Sequence, residues 1–330
     1  MKTIASFLKT GKLARKQSHL NLTLFPLLHP DKTKPDYLTL DQALKKDLVR
    51  ITELDQAGSV PELRLMNKGK QKILIIEGEE LVGAKQNRIV NATFLVAGNT
   101  EIVIPVSCVE QGRWNYDSDS FVSSNKMMHA SLRRNHQARV RENLKKGHGF
   151  RSDQGEIWND ISAKLDRMNV SAPTRAMADA YDRYDSTLSD YLNQYQLIES
   201  QIGAVFAING QVLGLECFGC SDTFTGFFQK IVKSYALDAL DSVDAHSHVS
   251  VPPDKVRRFI KSTANGKTER HPSLGLGKTV TIQSRMVSGA ALIEKDRVRH
   301  LSVFRKSQDN SSGGVRFQRF SQRRLRYPIV

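Results

Sequence analysis

Two short polar stretches, each set beside apolar, strand-like runs, carry the residue types in this chain that could do chemistry. They span residues 77–91 and 104–114. Each contains a carboxylate that could act as a general acid or base, Glu79 in the first and Glu110 in the second. Because a site needs polar groups fixed on rigid elements, we predict that the two stretches form one catalytic site.

The same stretches offer side chains that suit a phosphorylated ligand. Amides can read a sugar or a base edge, and an arginine can hold a phosphate through two hydrogen bonds. A tryptophan ring can stack on a base or a sugar, although core packing is the more common role of a tryptophan. The residues that we assign to ligand binding are Lys85, Gln86, Asn87, Arg88, Asn91, Arg113 and Trp114.

Three carboxylates crowd the start of the first stretch, at Glu77, Glu79 and Glu80. Like charges this close raise the pKa of at least one carboxyl group or attract a cation or a base. Lys85 and Arg88 are the nearby opposite charges. A hairpin held by salt bridges, without any ligand, is therefore the alternative interpretation of this stretch.

Other familiar spacings give weaker signals. The sequence names no base for Cys108, which favours a buried structural thiol over a nucleophile. One Cys-x-x-Cys pair, Cys217 and Cys220, is poor evidence for zinc without a second pair. The histidines of residues 244–248 fall in a polar loop, and the glycine turn at 275–278 lacks the spacing of a P-loop. We predict no metal site, and the cofactor is left open.

The charge of the chain is strongly basic, with a formal net charge of +15 over 330 residues. Such a charge favours phosphate-rich or acidic partners. Basic residues are concentrated in residues 127–146 and in a tail where arginines alternate with aromatic residues, a composition that suits single-stranded nucleic acid. A solvated or partner-bound tail is the alternative. The residues that we assign to nucleic-acid binding are Arg133, Arg134, Arg139, Arg141, Lys145, Lys146, Arg323 and Arg324.

The cysteine content and the hydropathy pattern bear on the compartment. Three cysteines argue against a disulfide framework and favour a reducing environment. No apolar run approaches the ~18–20 residues that span a bilayer, and the N-terminus lacks the apolar core of a signal peptide. We therefore expect a cytoplasmic protein without a membrane partner. The oligomeric state is left open.

The pattern of strands and turns predicts an α+β fold with an antiparallel β-sandwich-like core. Short strands are expected throughout residues 21–116, helices in 117–200, and a hairpin, helices and a closing sheet in 201–304. These parts form one predicted domain, 21–304, between a basic N-terminal arm, 1–20, and a basic disordered tail, 305–330. The Asn209-Gly210 turn between two apolar runs is the clearest hairpin signal.

Several boundaries follow from local signals. We expect a first strand over 21–25 that ends at Pro26, and one continuous strand over 89–96. Thr39 or Asp41 is expected to cap a short helix over 42–47, Thr174 a later helix, and Ser221 or Asp222 the long helix that follows the hairpin. A turn at residues 294–296 is expected to join the last two strands.

Residues 78–88 and 105–114 carry a resemblance to a known family. The two irregular polar motifs, in this order, resemble the uncharacterised family called ADP-ribosylglycohydrolase and rhodanese-phosphatase-superfamily-associated protein. The similarity extends over roughly residues 20–304 and leaves out the N-terminal arm and the basic tail. The family name implies a link to NAD-derived or nucleotide sugars and to biological-conflict systems, but it implies no defined activity.

Two functions are compatible with these features. The first is an enzyme or binder for a nucleotide or ADP-ribose-type ligand, which we favour narrowly. The second is a non-catalytic protein that binds nucleic acid or a partner complex. The first gains if the two polar stretches meet in one pocket. The second gains if they form buried ion pairs while the basic run lines an open groove.

Overall fold

The computed structural model describes residues 2–55, 61–243 and 250–306. Its helices are α1 (Lys2–Thr10), α2 (Leu40–Lys45), α3 (Ala130–Lys145), α4 (Gln154–Arg167), α5 (Met177–Arg183), α6 (Asp185–Asn193), α7 (Ser221–Asp241) and α8 (Pro253–Ala264). Its strands are β1 (Lys12–Leu13), β2 (Gln17–His19), β3 (Leu22–Leu28), β4 (Tyr37–Thr39), β5 (Val49–Glu53), β6 (Glu62–Asn67), β7 (Lys72–Ile75), β8 (Glu79–Gly83), β9 (Arg88–Val90), β10 (Phe94–Val96), β11 (Thr100–Cys108), β12 (Phe121–Met127), β13 (Gln201–Ile208), β14 (Gln211–Phe218), β15 (Lys267–Pro272), β16 (Lys278–Gln283), β17 (Val287–Glu294) and β18 (Arg297–Arg305).

These strands form three sheets, and the fold is α+β and sandwich-like, as predicted. The largest sheet has the order β1-β3-β13-β14-β18-β17-β16-β15, with β2 also paired to β3. A second sheet has the order β12-β8-β9-β11-β6-β5, and a small third sheet has the order β10-β7-β4. All pairs are antiparallel except β4 with β7. The two predicted polar stretches thus enter the second sheet, whereas the closing strands of the chain belong to the first.

The predicted hairpin is confirmed as β13 and β14. Its turn residues, Asn209 and Gly210, both have positive φ angles, of 49° and 73°. Asparagine and glycine tolerate this left-handed conformation, which matches the twist of the flanking strands. Lys295 and Asp296 repeat the positive φ angles between β17 and β18, so the predicted turn there is also confirmed.

The two faces of the large sheet are buried by different parts of the chain. On one face, Val205, Leu215 and Val303 pack in a cluster with Ile4 of α1 and Phe259 of α8. On the other face, aromatic residues of β13 and β14 stack on α7; the ring centroids of Phe206 and Tyr235 are 4.0 Å apart, and those of Phe218 and Phe227 are 5.1 Å apart. This second face also meets α3 and the β-rich part of the chain, so the space between them is where a site can form.

Two strand predictions need correction. Residues 89–96 form two strands in different sheets, because Arg88–Val90 pairs with β8 and β11, whereas Phe94–Val96 pairs with β7. The first strand does not end at Pro26. It continues to Leu28, because β13 pairs along it and the Pro26 carbonyl accepts a hydrogen bond from the Ala14 amide.

The predicted caps are wrong in two cases. The N-cap of α5 is Ala176, and the Thr174 hydroxyl donates to Glu110 instead. The N-cap of α7 is Cys220, whose thiol makes no capping bond. Thr39, by contrast, caps α2 with a full capping box, because its hydroxyl accepts from the Gln42 amide.

Some predicted features lie outside the described residues. They are the histidine-containing loop at 244–248, and the tail beyond Lys306 with Arg323 and Arg324. Within the described ranges, none of the helices is both long enough and apolar enough to cross a membrane.

Candidate functional site

The two polar stretches meet, because β9 and β11 are neighbouring strands. Arg88 lies opposite Cys108 in the ladder, and the Val109 amide donates to the Asn87 carbonyl over 3.0 Å. This register brings the turn between β8 and β9 against the residues that follow β11. Part of the predicted site is therefore assembled by sheet pairing alone.

Glu110 is the centre of this contact. Its side chain accepts from Arg113 Nε at 2.9 Å, from the Asn87 amide at 3.2 Å and from the Thr174 hydroxyl at 3.0 Å. Arg113 also donates to the Asn87 side-chain oxygen at 2.9 Å and to the Ala84 carbonyl at 2.8 Å. Both carboxylate oxygens of Glu110 are thus engaged by donors of the protein itself.

Two further predicted ligand-binding residues extend the same network. The Gln86 amide donates to the Glu110 carbonyl at 3.0 Å, and Arg88 donates to the Gln86 oxygen at 2.8 Å. Arg88 is fully buried and forms an ion pair with Glu53 over 3.8 Å. We call the set Gln86, Asn87, Arg88, Glu110 and Arg113 the Glu110 network. Its polar groups mostly bind one another, as the alternative interpretation of a salt-bridged hairpin expected.

The outer side of this network carries exposed aromatic rings. Trp114 is 45% exposed and Tyr116 is 54% exposed. The Lys85 ammonium lies 5.3 Å from the Trp114 ring centroid and 5.2 Å from that of Tyr116. We call these three residues the aromatic edge. Tyr116 was not singled out from the sequence, although its place two residues after Trp114 in an exposed loop was a usable signal.

Glu79 lies in a different environment from Glu110. It is fully buried and accepts from Lys230 of α7 at 2.9 Å and from the Ile76 amide at 3.0 Å. Lys230 is held in turn by Asp41 at 2.7 Å. Burial raises the pKa of Glu79, and the Lys230 charge opposes that rise. Among the described residues, the two predicted catalytic carboxylates share no hydrogen-bond or ion-pair partner, so their geometry does not make them an acid–base pair.

The pKa of Glu80 is raised, but burial is the main cause and not the predicted crowding with Glu77 and Glu79. Glu80 is fully buried, and burial raises its pKa to about 7, although a hydrogen bond of 2.7 Å from the Ser124 hydroxyl lowers it. The charges of Asp182 and Glu110 raise it further. Its second oxygen has no hydrogen-bond partner within the described part of the chain.

Helix α3 does not present its predicted basic residues as one open surface. Arg133 is 1% exposed and donates to Glu216 at 2.6 Å. Its side chain passes beside Gly78, where a Cβ atom would lie only 2.7 Å from the Arg133 Cδ atom. The glycine therefore allows Arg133 to approach closely enough to pair with Glu216. Arg139 bridges to Asp160 and Glu156, at 3.2 and 3.1 Å.

The remaining basic residues of α3 differ in exposure. Arg134 is half-buried, and burial lowers its pKa. Lys145 is an exposed partner of Glu269 at 3.8 Å, and Lys146 is exposed. Within the described residues, only the C-terminal end of the basic run is exposed to solvent. The nucleic-acid hypothesis expects the whole run to line an open groove.

Arg141 faces a cleft between α3 and the large sheet. We call this the α3–sheet cleft, and its volume accessible to water is about 30 Å³. Its lining comprises Glu77, Asn91, Ala92, Thr93, Gln137, Val140, Arg141, Leu144, Phe150, Thr279, Thr281, Gly289, Ala290, Ala291 and Leu292. Asn91, a predicted ligand-binding residue, lines this cleft and is separate from the aromatic edge.

A buried polar network backs the cleft. Gln137 donates to Glu77 at 2.8 Å and to the Ser302 carbonyl at 3.3 Å. Ser302 and Arg133 both donate to Glu216. Glu216 and Ser302, on the neighbouring strands β14 and β18, were missed in the sequence. Their signal was the alternation of polar residues at every second position of the closing strands, on a face that must be buried.

The cysteines and acidic residues give no sign of a metal centre. Cys108, Cys217 and Cys220 are free and buried. Burial raises the pKa of the Cys108 thiol, in line with the predicted structural role. Across residues 2–55, 61–243 and 250–306, no group of three or more His, Cys, Asp or Glu is arranged to hold a metal ion.

Comparison with known proteins agrees with the resemblance over the same region. The model of a family described as the ARG and Rhodanese-Phosphatase-superfamily-associated Protein (ARPP-1) domain matches residues 10–304. Comparison with curated proteins and with solved structures found no match. The match begins earlier than the resemblance did, so it includes β1 and β2, which pair within the large sheet. Because the family model matches most of the chain, the chain belongs to the ARPP-1 domain family.

Proposed function

We propose that the chain binds a nucleotide or ADP-ribose-type phosphorylated ligand at the aromatic edge. The observation that carries the proposal is the pair of exposed rings, Trp114 and Tyr116, with the Lys85 ammonium over both. An exposed ring offers a stacking surface to a base, and stacking contributes about 1–3 kcal/mol per base. A lysine next to the rings offers a charge to a phosphate.

The Glu110 network supports this proposal as a scaffold. Arg113 holds the loop at both ends, because it donates to Glu110 and also to the Asn115 carbonyl at 3.1 Å. The segment that carries Trp114 and Tyr116 is thereby fixed before a ligand arrives, which reduces the entropy lost on binding. The ADP-ribose part of the proposal rests on the family resemblance.

Binding is better supported than catalysis. The engaged oxygens of Glu110 and the ion pair of Glu79 leave the predicted acid–base pair without a geometric argument. The catalytic roles of both residues stay predictions. The nucleic-acid alternative also stays a prediction, because two of its arginines, Arg323 and Arg324, lie beyond the described residues.

Tryptophan fluorescence tests the proposal. The chain has two tryptophans, Trp114 and Trp158, so Trp158→Phe leaves Trp114 as the single reporter. Titration with ADP-ribose or AMP is expected to quench its emission, whereas ribose 5-phosphate, which lacks a base, is expected to quench it weakly. Calorimetry on Trp114→Ala should show affinity for AMP reduced by about tenfold, the equivalent of one lost stacking contact.

The matched control is Trp158→Phe itself, measured by calorimetry. Trp158 lies on α4 beside the Cys108 thiol, so its replacement should leave the affinity for AMP unchanged. Absence of quenching by both nucleotides, or equal AMP affinity in Trp114→Ala and wild type, would contradict the proposal. Filter binding of an oligonucleotide at low salt, with affinity falling steeply as salt rises, would favour the nucleic-acid alternative instead.

A further inference from the structure

The helices that cover one face of the large sheet carry a basic outer surface. Helices α1 and α8 contact each other on that face, where Leu8 and Phe259 belong to the same buried cluster. The Lys16 ammonium donates to the Ser250 hydroxyl at 2.5 Å, which joins the segment after α1 to the segment that leads into α8. We call residues 9–16 together with α8 the basic layer.

The exposed charges of the basic layer are nearly all positive. Asp254 is the single acid in residues 2–19 and 250–268. The exposed cations of the layer are Lys9, Lys12, Arg15, Lys16, Lys255, Arg257, Arg258 and Lys261. Among the described residues, Arg257 with Asp254, at 2.8 Å, is the one ion pair that these cations form. The layer therefore presents positive charge that the described part of the chain does not neutralise.

Helix α8 separates its charges from its apolar residues. Its buried residues are Val256, Phe259 and Thr263. Lys255, Arg258 and Lys261 recur every three residues on the exposed side, over about 9 Å of helix. Arg257 and Lys261 stand four residues apart, a spacing at which like charges destabilise a helix by about 0.2–0.5 kcal/mol. A row of cations that lowers the stability of its own helix indicates an external anion.

The basic layer offers no exposed ring on which a base could stack. The ring-bearing side chains of residues 2–19 and 250–268 are Phe7, His19 and Phe259, and none of the three is exposed. Single strands are held by stacking on aromatic rings as well as by charge. A duplex keeps its bases inside and presents one negative charge per about 1.7 Å of its axis. The array of cations without rings therefore fits a duplex better than a single strand.

A lipid surface fits the basic layer less well. A helix that binds at a membrane interface buries its apolar face among the lipids. The apolar face of α8 is already covered, because Val256 and Phe259 pack in the cluster against the large sheet. Only the charges of the helix are left for a lipid headgroup.

We propose that the basic layer binds double-stranded nucleic acid through its phosphates, with Lys255, Arg258 and Lys261 at the centre of the contact. Since phosphate contacts carry no sequence information, the binding is independent of base sequence. This surface is distinct from the aromatic edge. It is also distinct from α3 and the tail, to which the sequence assigned nucleic-acid binding.

Fluorescence anisotropy on the full chain, with a labelled DNA duplex and a series of salt concentrations, tests the proposal. Wild type is expected to bind two duplexes of unrelated sequence equally, with affinity that falls steeply as salt rises. The triple variant Lys255→Gln/Arg258→Gln/Lys261→Gln should bind at least about tenfold more weakly. The slope of log affinity against log salt should fall by about 2–3, since each lost phosphate contact removes about 0.9.

This triple variant is expected to fold, because exposed substitutions of this kind change stability by about 0.5 kcal/mol or less. The matched control is Lys45→Gln/Lys46→Gln/Lys70→Gln, which makes the same change in net charge. Its three lysines are exposed and lie at the end of α2 and before β7, outside the basic layer. The control should keep duplex affinity within about threefold of wild type, since charges farther away than about 10 Å are largely screened.

Two cross-checks separate this surface from the aromatic edge. Trp114→Ala should leave duplex affinity unchanged, and the triple variant of the basic layer should leave AMP binding unchanged. Failure of AMP to bind would thus count against the aromatic edge alone.

Several results would overturn the proposal. Wild type could bind no duplex at low salt, or the two triple variants could lose affinity equally. The triple variant of the basic layer could keep the wild-type salt slope, which would place the contact on another surface. Tighter binding to a single strand of the same length, or to vesicles of an anionic phospholipid, would assign the charges to a different partner.

Discussion

The Glu110 network and the α3–sheet cleft combine the same residue types to different ends. Each has a buried carboxylate, an arginine, amides and a threonine hydroxyl. In the network, Glu110 and Arg113 satisfy each other and the loops around them. In the cleft, Arg141 and Thr279 keep polar atoms unpaired within the described residues. Arg88 of the network also keeps two nitrogens unpaired among the described residues, so the contrast lies between the Glu110–Arg113 pair and the Arg141–Thr279 pair.

The comparison gives each region a distinct response to mutation. Where two polar groups satisfy each other, as Glu110 and Arg113 do, removal of one leaves the other buried and unpaired, and the protein loses stability. Where polar atoms already lack partners, their removal relieves a penalty. Matched substitutions should thus cost more stability at the Glu110–Arg113 pair than in the cleft.

The largest expected effect is the loss of Arg113. Arg113→Gln removes the donors to Glu110, to Asn87 and to the Ala84 carbonyl, so we expect unfolding to become easier by about 3 kcal/mol. Arg141→Gln, the same substitution at the cleft, is expected to lower stability by less than about 1 kcal/mol. Urea denaturation of both variants measures the difference. Equal losses would mean that the two arginines have the same structural role.

Much of the fold could be predicted because its signals are local. The Asn209-Gly210 turn fixes a hairpin by its backbone preference, and Thr39 with Gln42 forms a capping box over four residues. The strand prediction for 89–96 failed because nothing local shows that Arg88–Val90 and Phe94–Val96 pair in different sheets. Such pairing is decided by residues far away in the chain.

The site was predicted in part for the same reason. The contact between residues 86–88 and Glu110 follows from neighbouring strands and was expected. The partners of Glu79 and Arg133, namely Lys230 and Glu216, lie 151 and 83 residues away, so no spacing reveals them. Long-range pairing turned two predicted functional residues into members of internal ion pairs.

A second prediction concerns Glu80, whose pKa is raised mainly by burial and further by the charges of Asp182 and Glu110. The pKa of Glu80 in the folded protein is about 7, above its ordinary value of 4.5. Ionisation is therefore easier in the unfolded chain, so the stability contributed by this group is present below about pH 4.5 and is lost as pH rises through 7. Between about pH 5 and pH 8 the loss amounts to about 2 kcal/mol.

Glu80→Gln should remove this dependence, because a neutral amide can still accept the bond from Ser124. The difference in unfolding free energy between wild type and variant, measured by urea denaturation at several pH values, should grow in favour of the variant as pH rises. A difference that stays constant would show that Glu80 titrates normally.

The smallest expected effect contrasts two hydroxyl groups. Thr279→Val removes an unpaired buried hydroxyl from β16, a strand that also favours valine, so we expect a gain of about 1 kcal/mol. Ser107→Ala removes a hydroxyl that donates to Asn91 at 2.8 Å, and should lose about 1 kcal/mol. Thermal unfolding without added ligand measures both changes. A loss in Thr279→Val would mean that this hydroxyl is already satisfied, and the α3–sheet cleft would then resemble the Glu110 network rather than differ from it.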